Sequence, residues 1–148
     1  IMSSDWSSDV CSSDLIPDTP GTAIAFARFL FDTGEIENAI ARYLESLDMI
    51  EALPVSGVHD PEKLARRKRV WFYKVFYFFH KHNDMRNAIH VMERAEKELP
   101  NDADIKVTLG DLYYDQGILY KALDKYNYAL LLSPNHAKAA RMVRKINQ

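Results

Sequence analysis

The chain has 148 residues, 47% of them apolar, with 19 basic and 21 acidic side chains and a formal charge of −2. That length and apolar content suit one domain with a continuous core, and so even a charge balance argues neither for nor against nucleic acid. One cysteine, Cys11, leaves no basis for a disulfide framework.

Taken in chain order, the first stretch, Asp5 to Leu15 (DWSSDVCSSDL), resembles the translated end of a sequencing adapter, so residues 1–15 are set apart from the fold as a non-native segment. Without Asp5, Asp9 and Asp14 the acidic count falls from 21 to 18 against 19 basic residues, and the charge becomes +1. Cys11 goes with the segment, and thiolate chemistry and cysteine metal sites go with it. Localisation stays open. From Ile16 onward only helix signals are present. Thr19-Pro20 and Asp60-Pro61 are starts in which a side-chain oxygen caps the first turn and proline's fixed φ suits it. The apolar spacing predicts helices over 20–33, 36–52, 61–82, 85–98, 103–115, 119–132 and 137–146.

The first of these, TAIAFARFLF, is apolar almost all round, which is normal for a helix covered on both sides. A lost upstream repeat or domain is therefore expected in front of it, the other reading being a native hydrophobic interface. Residues 54–68 form an insertion whose early part, PVSGVHD, is loop and whose later part, PEKLARRK, lengthens the third helix by about two turns. The last helix, AKAARMVRKI, turns Ala139, Met142, Val143 and Ile146 inward and Lys138, Arg141, Arg144 and Lys145 outward, as expected of a helix that closes an array.

Two 34-residue units lie end to end between Arg69 and His136. In the one starting at Ala103, Leu109, Gly110, Tyr113, Ala122, Tyr126, Ala129 and Pro134 stand at the signature places. The unit from Arg69 supplies Val75, Phe76, Phe79, Ala88, Met92, Ala95 and Pro100, with Phe76 where a small residue is usual. A third register, from Pro20, places Phe26, Ala27, Leu30, Ala39, Tyr43 and Ser46. Ala39, Ala88 and Ala122 mark the places where paired helices cross closely, and Gly34, Asn83 and Gly117 mark turns that need a positive φ. With this period and these residues the chain resembles the tetratricopeptide-repeat family. The resemblance implies an all-α solenoid of helix-turn-helix repeats, with units over about 20–53, 69–102 and 103–136, a capping helix over 137–146, and a domain spanning 16–148. It also implies a protein-interaction scaffold rather than an enzyme.

Such repeats bind in the concave groove lined by the first helix of each unit. Groove places hold Ile24, Arg28 and Phe31, then Tyr73, Tyr77, His80 and Lys81, then Val107, Asp111, Tyr114 and Asp115. Tyrosines give contact area at little entropic cost and offer a hydroxyl to a peptide backbone, so the expected ligand is a protein, as an extended peptide or a helix. The equally bland reading is that these are ordinary half-buried tyrosines. Repeats that hold a chaperone's C-terminal carboxylate carry a Lys and two Asn in the groove. Here Ile24 and Arg28 stand in the first two of those places, so that activity is not carried over.

The basic run Lys63, Arg66, Arg67, Lys68, Arg69 beside VWFYKVFYFF could suit RNA or an anionic membrane surface. However, Trp71, Phe72, Val75, Phe76, Phe78 and Phe79 fall on inward places, and the ten-residue run is too short for a bilayer. A charge run at a helix start reads as a solvated face, and nucleic acid is not an expected partner. His80, His82 and His90 with Asp84 are the candidate metal or acid–base group, but His80 and His82 point to different sides of a helix. No metal, cofactor or catalytic residue is expected. A second class of function is an accessory domain of a larger bacterial membrane enzyme: IPDTP and RVWFYKVFYFF are similar to repeat tails of O-antigen ligases or polymerases.

Overall fold

The computed structural model describes residues 19–53 and 60–148, so the adapter-like segment and the PVSGVH part of the insertion lie outside the described residues. Seven helices are present among them: α1 (Pro20–Asp32), α2 (Ile36–Ala52), α3 (Pro61–Lys81), α4 (Met85–Glu98), α5 (Ala103–Asp115), α6 (Leu119–Leu132) and α7 (Ala137–Ile146). Their ends match the expected ones except that α1 and α3 each stop one residue sooner. α3 begins eight residues before Arg69, two turns beyond the register of the repeat. The residues fall into two compact units divided between Leu64 and Ala65.

In the first unit α1 and α2 pack as an antiparallel hairpin. The Thr19 hydroxyl accepts the Thr22 N–H at 3.2 Å while the Thr22 hydroxyl accepts the Thr19 N–H at 2.9 Å, so the orphan donors of the first turn are satisfied reciprocally. Ala23, Ala27 and Leu30 of α1 are buried, as are Ala39, Tyr43, Leu47 and Ile50 of α2. Burial pushes the Tyr43 hydroxyl above its ordinary pKa, with the Arg28 charge acting against it.

In the second unit α4 packs on α5, α5 on α6 and α6 on α7. Phe72, Val75, Phe76 and Phe79 of α3 are buried. Trp71 and Phe78 of the same helix are half-buried rather than fully inside. Asp84, Asp102 and His136 cap α4, α5 and α7 with side-chain acceptors. The three turns inside the helix pairs are built alike. Gly34, Asn83 and Gly117 have φ of 91°, 60° and 76°. The following N–H, of Glu35, Asp84 or Ile118, donates back to Leu30, Phe79 or Tyr113 at 2.9 Å.

Ala39, Ala88 and Ala122 are fully buried. The tightest approach is at Gly110, where a Cβ would lie 2.7 Å from Cε1 of Tyr126. Only glycine lets the ring lie against the α5 backbone.

Candidate functional site

The site grows from the junction at which α3 and α4 meet α5. The basic run supplies the first ties. Lys63, Arg66 and Arg67 keep the solvated face expected of the run, but Lys68, 4% exposed, reaches Glu98 at 3.2 Å: an ammonium so far from water needs its carboxylate partner. The Arg69 guanidinium forks, its Nε 2.8 Å from Asp102 and its terminal nitrogen 2.9 Å from Asp104. Planar donors set this pairing, and lysine would not reproduce it. Asp104 also meets Nε2 of His136 at 2.9 Å, which links the start of α7 to the same point.

Deeper in the junction, Glu96 of α4 takes Lys106 of α5 at 2.8 Å and Lys125 of α6 at 2.8 Å. Burial by itself would raise the Glu96 carboxyl, but the hydrogen bonds and charges of Lys106 and Lys125 outweigh it and hold the group below its ordinary pKa. The Tyr113 hydroxyl donates to Glu93 at 2.7 Å. Burial and that carboxylate together push its pKa well up, so the phenol stays a donor.

Beside these ties, between α3 and α5, lies an open groove of about 470 Å³ lined by Arg69, Val70, Tyr73, Lys74, Tyr77, Asp104 and Thr108. The Tyr73 ring lies under the Arg69 guanidinium at 5.0 Å, and its hydroxyl pairs with Thr108 at 3.2 Å. Burial raises its pKa, so the hydroxyl is neutral and can donate or accept. Tyr77 is 60% exposed, its ring 5.8 Å from Tyr73 and 5.3 Å from Phe76. Phe76 in turn stands 5.3 Å from the His80 ring. Residues 73, 76, 77 and 80 share one face of α3, which makes a ladder of four rings at helical spacing.

Of the groove residues expected from sequence, Tyr73 and Tyr77 line this groove. His80 continues their face and is exposed, as is Lys81 at the end of α3. Asp111 is engaged elsewhere: it accepts the Tyr126 hydroxyl at 2.6 Å and pairs with Lys138 of α7. Tyr114 is half-buried beneath the Lys145 ammonium at 5.1 Å, and Asp115 is exposed at the end of α5. Arg28 is exposed and Phe31 half-buried on α1 of the first unit. Val70, Lys74, Asp104 and Thr108 were missed as lining residues. One signal was available: Asp102 and Asp104 flank the start of one unit as the basic run flanks the start of the unit before it.

Among the described residues no group of three His, Cys, Asp or Glu side chains stands together to hold a metal ion, and no helix is long and apolar enough to cross a membrane. No protein-family model matches the sequence, and no curated protein matches it. Solved structures do. The first tetratricopeptide domain of Spaghetti (RPAP3), bound to the HSP90 peptide SRMEEVD, is 18% identical with a TM-score of 0.58 over 88% of this chain and 91% of that one. The Cut9–Hcn1 hetero-tetramer of the APC/C gives 15% and 0.58 over 88% of this chain, which spans 24% of its counterpart there. The C-terminal tetratricopeptide-containing domain of an FK506-binding protein from Plasmodium falciparum gives 20% and 0.51 over 87% and 86%. The chain therefore has the all-α solenoid fold of tetratricopeptide repeats; of the residues read as signature places in the first unit, Ala27, Leu30, Ala39, Tyr43 and Ser46 are buried, whereas Phe26 is exposed.

Proposed function

We propose that this chain is a non-catalytic protein-interaction scaffold that holds an extended peptide or a partner helix against the Tyr73–Tyr77 face of α3. The observation that carries the reading is the groove between α3 and α5, with an exposed aromatic at its centre and donors and acceptors at its walls. Tyr77 offers contact area, Tyr73 and Thr108 offer hydroxyls, and the Arg69 fork holds the walls at fixed separation. Tyr114 extends the surface along α5, and Arg28 and Phe31 are its counterparts on α1. One structure of the same fold is occupied by an HSP90 peptide, which supports a peptide as the class of ligand. The chaperone carboxylate grip does not transfer to Ile24 and Arg28.

The test is to select binders from a displayed random-peptide library and measure their affinity for variants. Tyr73→Ala with Tyr77→Ala and Tyr114→Ala should cost at least about 2 kcal/mol of binding without unfolding the domain, as for aromatic hot spots. Arg141→Ala with Arg144→Ala, on the outer side of α7, should change little, and SRMEEVD serves as the control that is not bound. Loss in the arginine variant with binding kept in the tyrosine variant overturns the reading.

A further inference from the structure

One face of α3 carries positive charge that the fold does not use. Arg67, Val70, Lys74, Tyr77 and Lys81 follow one another at steps of three and four, so a cation recurs every seven residues and an apolar side chain recurs every seven between them. All five are exposed, Val70 at 51% and Tyr77 at 60%. Among the described residues none of the three cations has a hydrogen-bond or ion-pair partner. Val70, Lys74 and Tyr77 line the groove, and Arg67 and Lys81 continue the same line of α3 at either end.

The facing wall is balanced differently. One repeat on, the places of Val70, Lys74, Tyr77 and Lys81 hold Asp104, Thr108, Asp111 and Asp115 on α5. Asp104 is already met by Arg69 and His136, and Asp111 by Tyr126 and Lys138. Only the Asp115 carboxylate is left over on α5, against three cations on α3, so the uncompensated charge of the groove is positive. The spacing of that charge separates a helix from an extended chain. Residues seven apart on α3 lie about 10 Å apart along its axis. A second helix presents side chains at the same interval on one face, as in the seam of a two-stranded coiled coil. An extended chain covers about 10 Å in three residues, and side chains three apart point to opposite faces. A phosphate backbone would meet the cations and leave the apolar residues set between them without a partner.

We propose that this seam is the docking face for an acidic amphipathic helix in which a carboxylate recurs every seven residues and an apolar side chain recurs every seven between them. Such docking rests on the reading that a ligand lies against the Tyr73–Tyr77 face, and it fixes that ligand's form as helical and its charge as negative. Carboxylates meet Arg67, Lys74 and Lys81, while apolar side chains cover Val70 and Tyr77, as when an amphipathic helix lies in a groove. Exposed charge pairs add little affinity singly and set orientation and register, so the cations align the helix and the apolar residues hold it.

The probe is a synthetic peptide of three heptads, with Glu and Leu each recurring every seven residues, titrated against the 148-residue chain by fluorescence anisotropy. Arg67→Ala with Lys74→Ala and Lys81→Ala should weaken binding at least about tenfold, and added salt should weaken the parent but not the variant. All three side chains are exposed, so the thermal midpoint should not move. Arg67→Glu with Lys74→Glu and Lys81→Glu should lose the glutamate peptide and bind one with Lys in place of Glu, a reversal that misfolding cannot produce. A peptide of the same charges with a central proline pair, which cannot form the helix, should bind at least about tenfold more weakly. The proposal fails if the glutamate peptide does not bind, or if the proline peptide binds as tightly. It fails too if poly(U) or phosphatidylserine vesicles bind more tightly than the peptide and are lost in the alanine variant, or if the chain sediments as a dimer that this variant dissociates. Library-selected peptides that are lost on Tyr73→Ala with Tyr77→Ala but indifferent to the three cations overturn the proposal and leave the peptide-binding reading standing. Selected peptides that survive both variants sink the two together.

Discussion

The α3–α4 and α5–α6 pairs carry opposite side chains at the same two places. On α5 the place is Gly110, and the Tyr126 ring lies against it with its hydroxyl 2.6 Å from Asp111. One unit earlier, the place of Gly110 is taken by Phe76 and the place of Tyr126 by Met92, and both are buried. Large and small have changed helices. A close-packed interior constrains the summed volume at a crossing more than the identity of either residue, and unbranched methionine adapts to the shape left beside a ring. The exchange also has a functional side. With an aromatic on the first helix, Tyr73, Tyr77 and His80 gain a ring to lean on, and Tyr73 and Tyr77 line the groove.

The sharpest way to break the comparison is Phe76→Gly, which gives α3 the residue of α5 without giving α4 the matching tyrosine. Unfolding in urea should show a loss of about 3–5 kcal/mol, as for other emptied aromatic sites. Adding Met92→Tyr should recover part of it, and a double variant no better than the sum of the singles would show that the two places are not complementary. The converse change, Gly110→Ala, pushes a methyl into the Tyr126 ring. It should cost about 1–3 kcal/mol, as should Ala122→Leu at the crossing of the same pair. An unchanged thermal midpoint for Ala122→Leu would mean that the register assigned to the repeat is wrong.

Smaller effects separate the two pairs by charge. Glu96 is held below its ordinary pKa of 4.5 in the folded chain. Its contribution is therefore complete above the unfolded value and is lost as pH falls through the lower folded one. Stability followed from pH 6 down to pH 3 should decline, and Glu96→Gln should flatten that decline. An equal slope in the variant would place the acid sensitivity elsewhere. The smallest change concerns the turns: Asn83→Gly should shift stability by no more than about 0.5 kcal/mol, because asparagine already tolerates the positive φ. Gly117→Ala, by contrast, should cost about 1–2 kcal/mol for the same left-handed backbone.

What could be read from sequence was whatever repeats. The period located the buried alanines, the positive-φ turns, the capped starts and the inward Phe72, Phe76 and Phe79 of α3, because each of these follows from local backbone geometry or from spacing along a single helix. It missed the half-burial of Trp71 and Phe78. Proline at Thr19-Pro20 and Asp60-Pro61 fixed two helix starts for the same reason. The ties of the junction were not legible in that way. Lys68 reads in isolation as one more cation in a surface run, and its burial against Glu98, thirty positions away, depends on side-chain paths that periodicity does not encode. Spacing puts Asp111 on a groove position, yet its carboxylate is spent on Tyr126 and Lys138 and does not line the groove. Thr108 and Asp104 were passed over because neither residue type signals binding until Tyr73 and Arg69 are seen beside it.

The central claim is that ligand lies on the α3–α5 face, and the most direct measurement is the footprint of a selected peptide by amide hydrogen exchange. The account predicts protection in α3 around Tyr73 and Tyr77 and in α5 around Thr108, with α6 unchanged around its exposed Tyr120 and Leu131. Protection confined to α6, with α3 and α5 exchanging as in the free chain, would contradict it.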